Sequence, residues 1–307
     1  MTYKLPTCAV LLASYNGEHW LPEQLFSLNA QRGVDLRVIV SDDQSSDGTT
    51  RVLLEHASTL PLSILPAQAE RFGSANRNFL RLVRDADIGN AEFVALADQD
   101  DIWHSDKLSR AIERLREDGA AAYSSDVEAF WPDGRKRIIK KSHAQKQFDH
   151  LFGSPGPGCT FVFTRALFLE IREWVTANFS TLSSLWVHDW ILYAYARAHG
   201  HRWIIDGVPT MRYRQHQSNE IGVNFGLKAI QRRLAVVKEG RYRHDIVIIA
   251  ELTGANPVCA RALRRLSWLD RLWLIGHASQ FRRSLPEVLA LRLIFVLMPA
   301  APIPEVA

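Results

Sequence analysis

Three apolar runs, each cut off by polar or acidic residues, most constrain what this chain can fold into: CAVLLA (8–13), LRVIVSDD (36–43) and EFVALA (92–97). Short runs without polar alternation read as strands buried on both faces. Between them the spacing predicts helices, with Leu21, Leu25 and Leu28 on one face of 21–31 and a second pattern over SANRNFLRLVRDAD (74–87). Asp47 or Ser46 can cap a helix carrying Val52, Leu53 and Leu54, and PLSILPA (61–67) adds a short strand. Strands alternating with helices imply an α/β fold, Rossmann-like, with a mainly parallel sheet flanked by helices. Ligands of such sheets bind beyond the carboxyl ends of the strands. Ser14–Asn16, Asp42–Asp43 and Asp98–Asp101 all fall at such ends and are read as one site.

Past residue 108 the spacing predicts a helix over 107–118, a strand-like AAYSSDVEAFW (121–131) and an exposed RKRIIKK (135–141). A glycine-proline loop then leads to a strand over Cys159–Phe163 and a helix; LWVHDWILYAYARAHG (185–200) is a further helix. A hairpin-like segment and polar loop occupy 201–222. Beyond about 226 the chain is helical and rich in arginine, among them Arg232, Arg233, Arg261, Arg271 and Arg282. A net charge of +4 permits many partners, and Cys8, Cys159 and Cys259 form no disulfide pattern, which fits a reducing compartment. No signal peptide is read at the N-terminus, and 285–304, interrupted by Glu287 and Arg292, is too broken to span a bilayer.

The stretch ADQDD poses the chemical question, because crowded carboxylates repel unless a cation, a proton or a helix N-terminus lies among them. VLLASYNG, VSDDQSSDGT, ALADQDDIW, HDW and YRQH, in this order over residues 6–222, resemble the inverting family-2 nucleotide-sugar glycosyltransferases with the GT-A fold, and rhamnosyltransferase-like members in particular. The resemblance implies a GT-A domain over 1–222 and a basic helical C-terminal extension over 223–307. It makes Asp98-Gln99-Asp100 the DXD motif, with Asp98, Asp100 and His216 as metal ligands for Mg²⁺ or Mn²⁺, ions that suit hard oxygen donors. Ser14, Tyr15, Asn16, Asp43, Asn76, Arg77, Asp98 and Arg214 are then the nucleotide-binding residues, Asp43 accepting the imide N–H of uracil or thymine. Asp189 is the implied catalytic base, an acid that takes the proton of the acceptor hydroxyl. Trp103, Gly158, Cys159, Thr160, His188 and Trp190 are assigned to the sugar and acceptor pocket. Local alternatives remain open: Asp98–Asp101 as caps of the 105–118 helix, Asp43 in a turn with Ser45 and Ser46, and Asp189 as a first-turn acid.

The resemblance implies transfer of a sugar, with L-rhamnose the candidate, from a dTDP- or UDP-sugar to a glycan or lipid-linked acceptor in polysaccharide biosynthesis. A cytoplasmic enzyme is expected; an interfacial helix seated on the inner membrane and a packed helical cap account equally for the C-terminal helices, with homodimerisation a third reading. A nucleotidyltransferase ranks lower, since ASYNGEHW lacks a glycine-rich basic phosphate loop. Nucleic acid is not expected as a partner, because no groove-reading motif or stacking aromatics accompany the arginines.

Overall fold

The computed structural model describes residues 4–216, 237–300 and 303. The first part of the chain follows the sequence pattern: β1 (Thr7–Ser14), α1 (Leu21–Asn29), β2 (Asp35–Asp42), α2 (Thr49–His56), β3 (Leu62–Ile64), α3 (Ala75–Asp85) and β4 (Phe93–Asp98). β1 is buried from Cys8 to Ser14 because it lies inside the sheet, parallel to β2 on one side and β4 on the other. On one face Val10, Leu12, Val38 and Val40 pack with Leu21, Leu25 and Leu28 of α1. Pro22 stands in the first turn of α1, where a missing N–H costs no hydrogen bond. The Ser74 hydroxyl caps α3 by accepting from Arg77 N. The N-cap of α2 is Gly48, but Asp47 still accepts from Thr49 N at 3.0 Å.

There follow β5 (Ile102–Trp103), α4 (Lys107–Glu117), β6 (Ala122–Ser125), β7 (Val127–Phe130), β8 (Lys136–Ile139), β9 (Val162–Thr164), α5 (Arg165–Ala177), α6 (Phe179–Ser183), α7 (His188–Ala198), β10 (Trp203–Asp206) and β11 (Met211–Arg214). The large sheet runs β10-β6-β9-β4-β1-β2-β3, antiparallel only where β9 meets β4 and β6. β5-β11-β7-β8 form a smaller sheet.

Three local expectations are corrected. The strand-like 121–131 is two strands in different sheets, broken at buried Asp126, whose carboxylate accepts Lys141 N at 2.6 Å and Ser142 N at 2.8 Å. Residues 201–216 hold no hairpin, because β10 pairs with β6 while β11 pairs with β5 and β7, and residues 217–222 of that expectation lie outside the described residues. Gly158–Thr160 is a 3₁₀ turn, and the strand expected there begins at Val162.

The chain divides into two compact units, one of residues 1–142, 155–189 and 201–220, the other of 143–154, 190–200 and 221–307. In the second, helices Arg241–Thr253, Pro257–Arg265, Trp268–Phe281 and Leu285–Leu297 follow one another. Its core includes Phe152 stacked on Phe281 at 4.4 Å and edge-on to Phe295 at 5.9 Å. Buried Arg243 donates to the carbonyls of Leu263, Arg264 and Pro299, satisfying helix-end acceptors. Arg232 and Arg233 lie outside the described residues. Among those residues no helix is long and apolar enough to cross a membrane.

Candidate active site

Because β1 pairs with both β2 and β4, the polar end of β1 and the acid-tipped ends of β2 and β4 lie side by side, with Ser14 opposite Asp42 and Ala13 opposite Asp98. Asp42, not Asp43, makes the turn with Ser45: its carboxylate accepts Ser45 N at 3.0 Å and Ser14 Oγ at 2.9 Å. Asp43, 4% exposed, instead accepts Phe72 N at 2.6 Å and Gly73 N at 2.9 Å, with Arg71 Nε 3.6 Å away. Gly73 has φ +73°, a conformation that suits glycine. The Arg71 guanidinium lies 3.6 Å from the centre of the Tyr15 ring. Asn16 sits at φ 45°, its N donating to Ser45 Oγ at 2.8 Å and its Oδ1 accepting Ser46 N at 2.9 Å. The β1 and β2 loops are thus tied to each other and to the 71–73 loop.

α3 clamps the same strand ends from below. Buried Asn78 donates to Ser14 O at 3.2 Å and Ser41 O at 2.9 Å, and accepts from Ser41 Oγ. Fully buried Arg81 donates to Ser41 Oγ at 3.0 Å and to the Pro66 carbonyl. Asn76 has another task than the expected nucleotide contact. It is buried, and its amide hydrogens go to Leu182 O at 3.1 Å and Leu185 O at 3.0 Å. Exposed Arg77 donates to Ser183 O at 3.1 Å.

At the tip of β4 the acids have distinct environments. Gln99 is a clamp: Tyr15 N donates to its Oε1 at 2.8 Å and its Nε2 donates to Tyr15 O at 2.9 Å. A Cβ on Gly17 would lie 2.2 Å from that Oε1, so glycine is needed beside it. His216 Nε2 lies 2.7 Å from Asp100 Oδ2, and the His216 ring stacks on Trp20 at 5.1 Å and 16°. Arg214 donates through Nε to Asp100 O at 2.8 Å, pairs with Glu23 and lies over Trp20 and Phe130. Asp101 is fully buried, with Oδ1 accepting Arg214 N at 3.1 Å and Oδ2 lacking a hydrogen-bond partner among the described residues. Burial, with Asp100 and Asp98 beside it, holds its pKa well above the usual carboxylate range. The N-cap of α4 is Asp106, and the Asp101 oxygens accept none of that helix's N–H groups, so Asp101 is no cap.

Asp98, Asp101 and Cys159 bring ligand-type atoms within 4.8 Å of one another. Burial first, then Asp101 and Asp98, raises the Cys159 thiol far above its ordinary pKa, which keeps it inert. Two half-buried carboxylates, Asp98 and Asp100, with an imidazole against Asp100, offer hard donors beside the buried Asp101. Hard oxygen and imidazole donors of this kind fit a divalent cation. Nearby, buried Lys107 holds Nζ 3.4 Å from the Trp103 ring centre with no hydrogen-bond partner among the described residues, and burial lowers its pKa to about 8.

The turn Gly158–Thr160 joins this cluster to the acceptor-side residues. A Cβ at Gly158 would lie 2.4 Å from His188 Nε2, so the two are in contact. The His188 ring stacks on Phe79 at 3.9 Å, and burial lowers its pKa to about 3, keeping it neutral. Asp189 follows, half-buried in the first turn of α7. Trp103, Cys159 and Thr160 are 3%, 0% and 0% exposed, so they build the wall instead of an open lining. Trp190 is likewise buried, its indole donating to His150 O at 2.9 Å. A separate cleft of about 640 Å³, lined by Glu18, His19, Arg51 and Glu55, shares Asn16 with the strand-tip cluster but none of its carboxylates.

Residues 9–170 match the sequence profile of Glycosyl transferase family 2. The chain belongs to this family. It is a glycosyltransferase, and its GT-A fold is that of the solved neighbours. The dTDP-rhamnosyl transferase RfbG of Shigella flexneri is 41% identical over 93% of this chain and 99% of its own length. The UDP-Glc:alpha-D-GlcNAc-diphosphoundecaprenol beta-1,3-glucosyltransferase WfgD of Escherichia coli is 25% identical over 52% of this chain and 60% of its own. Among solved structures, S. aureus TarS 1–349 in complex with UDP-GlcNAc has a TM-score of 0.60 at 14% identity, covering 95% of this chain and 82% of that one. The mannosyltransferase PcManGT of Pyrobaculum calidifontis, solved with GDP-Man and Mn²⁺, has a TM-score of 0.52 at 17% identity, covering 96% and 87%.

Sequence reading of this family-2 transferase missed Asn78, Arg81, Arg71 and the clamp made by Gln99. The signal available for the first two was two polar residues on the apolar face of α3. A buried side of an amphipathic helix admits such residues only with partners.

Proposed function

We propose that this enzyme transfers L-rhamnose from dTDP-L-rhamnose, with inversion at C1, to a glycan or lipid-linked acceptor in cell-surface polysaccharide synthesis, using Mg²⁺ or Mn²⁺ held by Asp98, Asp100 and His216. The observation that carries the metal-dependent reading is the 2.7 Å approach of His216 to Asp100, two residues 116 positions apart. The full-length similarity to a dTDP-rhamnosyl transferase supports the donor. Residues 1–222 would perform the transfer and 223–307 form an appendage to it.

A bound divalent cation supplies positive charge opposite the diphosphate leaving group. The chain's own residues do the rest. Asp43 is fixed by two backbone N–H groups and retains lone pairs to accept the thymine imide proton. Tyr15, held by Gln99 and covered by Arg71, frames the base with Ser14 and Asn16. Asp189 would take the proton from the acceptor hydroxyl as its oxygen attacks C1. Neutral His188 before it adds no opposing charge to weaken the base.

The test is a panel of dTDP-rhamnose, UDP-glucose and GDP-mannose, with and without EDTA, scored by nucleotide diphosphate release. Turnover of dTDP-rhamnose that EDTA abolishes is expected, and Asp189→Asn should cut the rate by roughly 10²–10⁴ while leaving donor binding intact. Turnover of another sugar with dTDP-rhamnose untouched would sink the donor assignment, and a wild-type rate in the Asp189 variant would remove that residue as base.

A further inference from the structure

Two helices of the second unit, Trp268–Phe281 and Leu285–Leu297, form an antiparallel pair: Arg271 near the start of the first donates to the carbonyls of Phe295, Val296 and Met298 at the end of the second. Each helix buries one stripe, with Leu274, Ala278 and Phe281 on the first and Val288, Leu291 and Phe295 on the second. The opposite stripe is also apolar, with Trp268, Leu269 and Leu272 at 55–69% exposure on one helix and Leu289, Leu293 and Val296 at 54–58% on the other. Leu289, Leu293 and Val296 stand four and three residues apart, one continuous line on a helix surface. A helix apolar all round is ordinarily covered on both sides.

The charges around this face say what covers it. Residues 237–300 contain ten Lys and Arg against five Asp and Glu. The pair of helices has two acids. Asp270 is buried in a capping box and paired with Arg265, and Glu287 is half-buried. Arg261 and Arg292 are exposed and carry no ion pair among the described residues. A second copy would bring the same basic excess to this face, with no free acid of the helix pair to meet it. An anionic surface with an apolar interior complements both features.

We infer that the face formed by the 268–281 and 285–297 helices seats on the surface of a membrane containing anionic lipid, its leucines and Trp268 entering the acyl boundary and Arg261 and Arg292 meeting the headgroups. The helices lie along such a surface and do not cross it. This docking does not depend on the sugar transferred.

Co-sedimentation of the full chain with vesicles tests it. At 0.15 M salt the protein should bind vesicles of phosphatidylglycerol and phosphatidylcholine, and bind pure phosphatidylcholine at least about tenfold more weakly. Leu289→Gln with Leu293→Gln, both at exposed positions, should lower partitioning about tenfold or more. Arg261→Gln with Arg292→Gln should abolish most of the preference for anionic lipid. All variants should keep the wild-type melting temperature and rate on a soluble acceptor, which separates a failure here from a failure of the transferase reading. Absence of binding to anionic vesicles, or binding indifferent to the leucine pair, overturns the proposal. So does a dimer seen by light scattering that the leucine substitutions dissociate.

Discussion

Asn78 is where the fold and the site are most tightly joined, and its replacement has a calculable cost. Its side chain is 3% exposed and makes three hydrogen bonds, donating to the carbonyls of Ser14 and Ser41 and accepting from Ser41 Oγ. A net value of about 1 kcal/mol per bond gives about 3 kcal/mol for Asn78→Ala, although Ser14 O keeps its bond from Asp43 N at 2.9 Å. Asn78→Asp should cost more, since it points a carboxylate at those carbonyls where only a donor fits. A stability of about 5–15 kcal/mol leaves the alanine variant folded. Urea denaturation followed by tryptophan fluorescence gives both differences, and donor KM should rise if Ser14, at the released end of β1, is part of the proposed nucleotide site. The reasoning fails if both variants lie within about 0.5 kcal/mol of wild type, or if aspartate is tolerated better than alanine.

Gly158→Ala places a methyl group 2.4 Å from His188 Nε2, so the ring must leave Phe79. The loss should be about 1–3 kcal/mol, with a fall in kcat as Asp189 shifts, measured by thermal unfolding and steady-state kinetics. Burial holds His150 and His188 neutral, each with its pKa lowered from 6.5 to about 3, so the unfolded chain binds more protons between those values. Stability should therefore be full above pH 6.5 and fall as pH drops toward 3, by about 1 kcal/mol per histidine at pH 5.5. Denaturation midpoints at pH 7.5 and 5.5 check this, and a His150→Phe variant with an undiminished slope would contradict it.

The parallel half of the sheet was legible because it is written locally. CAVLLA, LRVIV and EFVALA each became a strand, and the acid clusters fell at one edge since parallel neighbours align their ends. Hairpin-like 201–222 misled because β10 and β11 find partners far back in the chain, at β6 and at β5 and β7, which no local pattern encodes. Likewise, composition gives Asp42 and Asp43 equal claims on the turn. Only the 71–73 loop, about thirty positions on, decides that Asp43 is the one its backbone N–H groups hold. Gln99 looked like the spacer of a metal motif, and its role appears only once Tyr15 lies beside it.

Titration of dTDP into the enzyme by calorimetry, with and without Mn²⁺, tests the central claim most directly when repeated on Asp100→Asn and His216→Gln. Wild type should bind dTDP at least about tenfold more tightly with the ion, and each substitution should erase that gain while leaving metal-free binding unchanged. Equal binding in EDTA and in Mn²⁺, or a full metal effect in the Asp100 variant, would contradict an ion held between these two side chains.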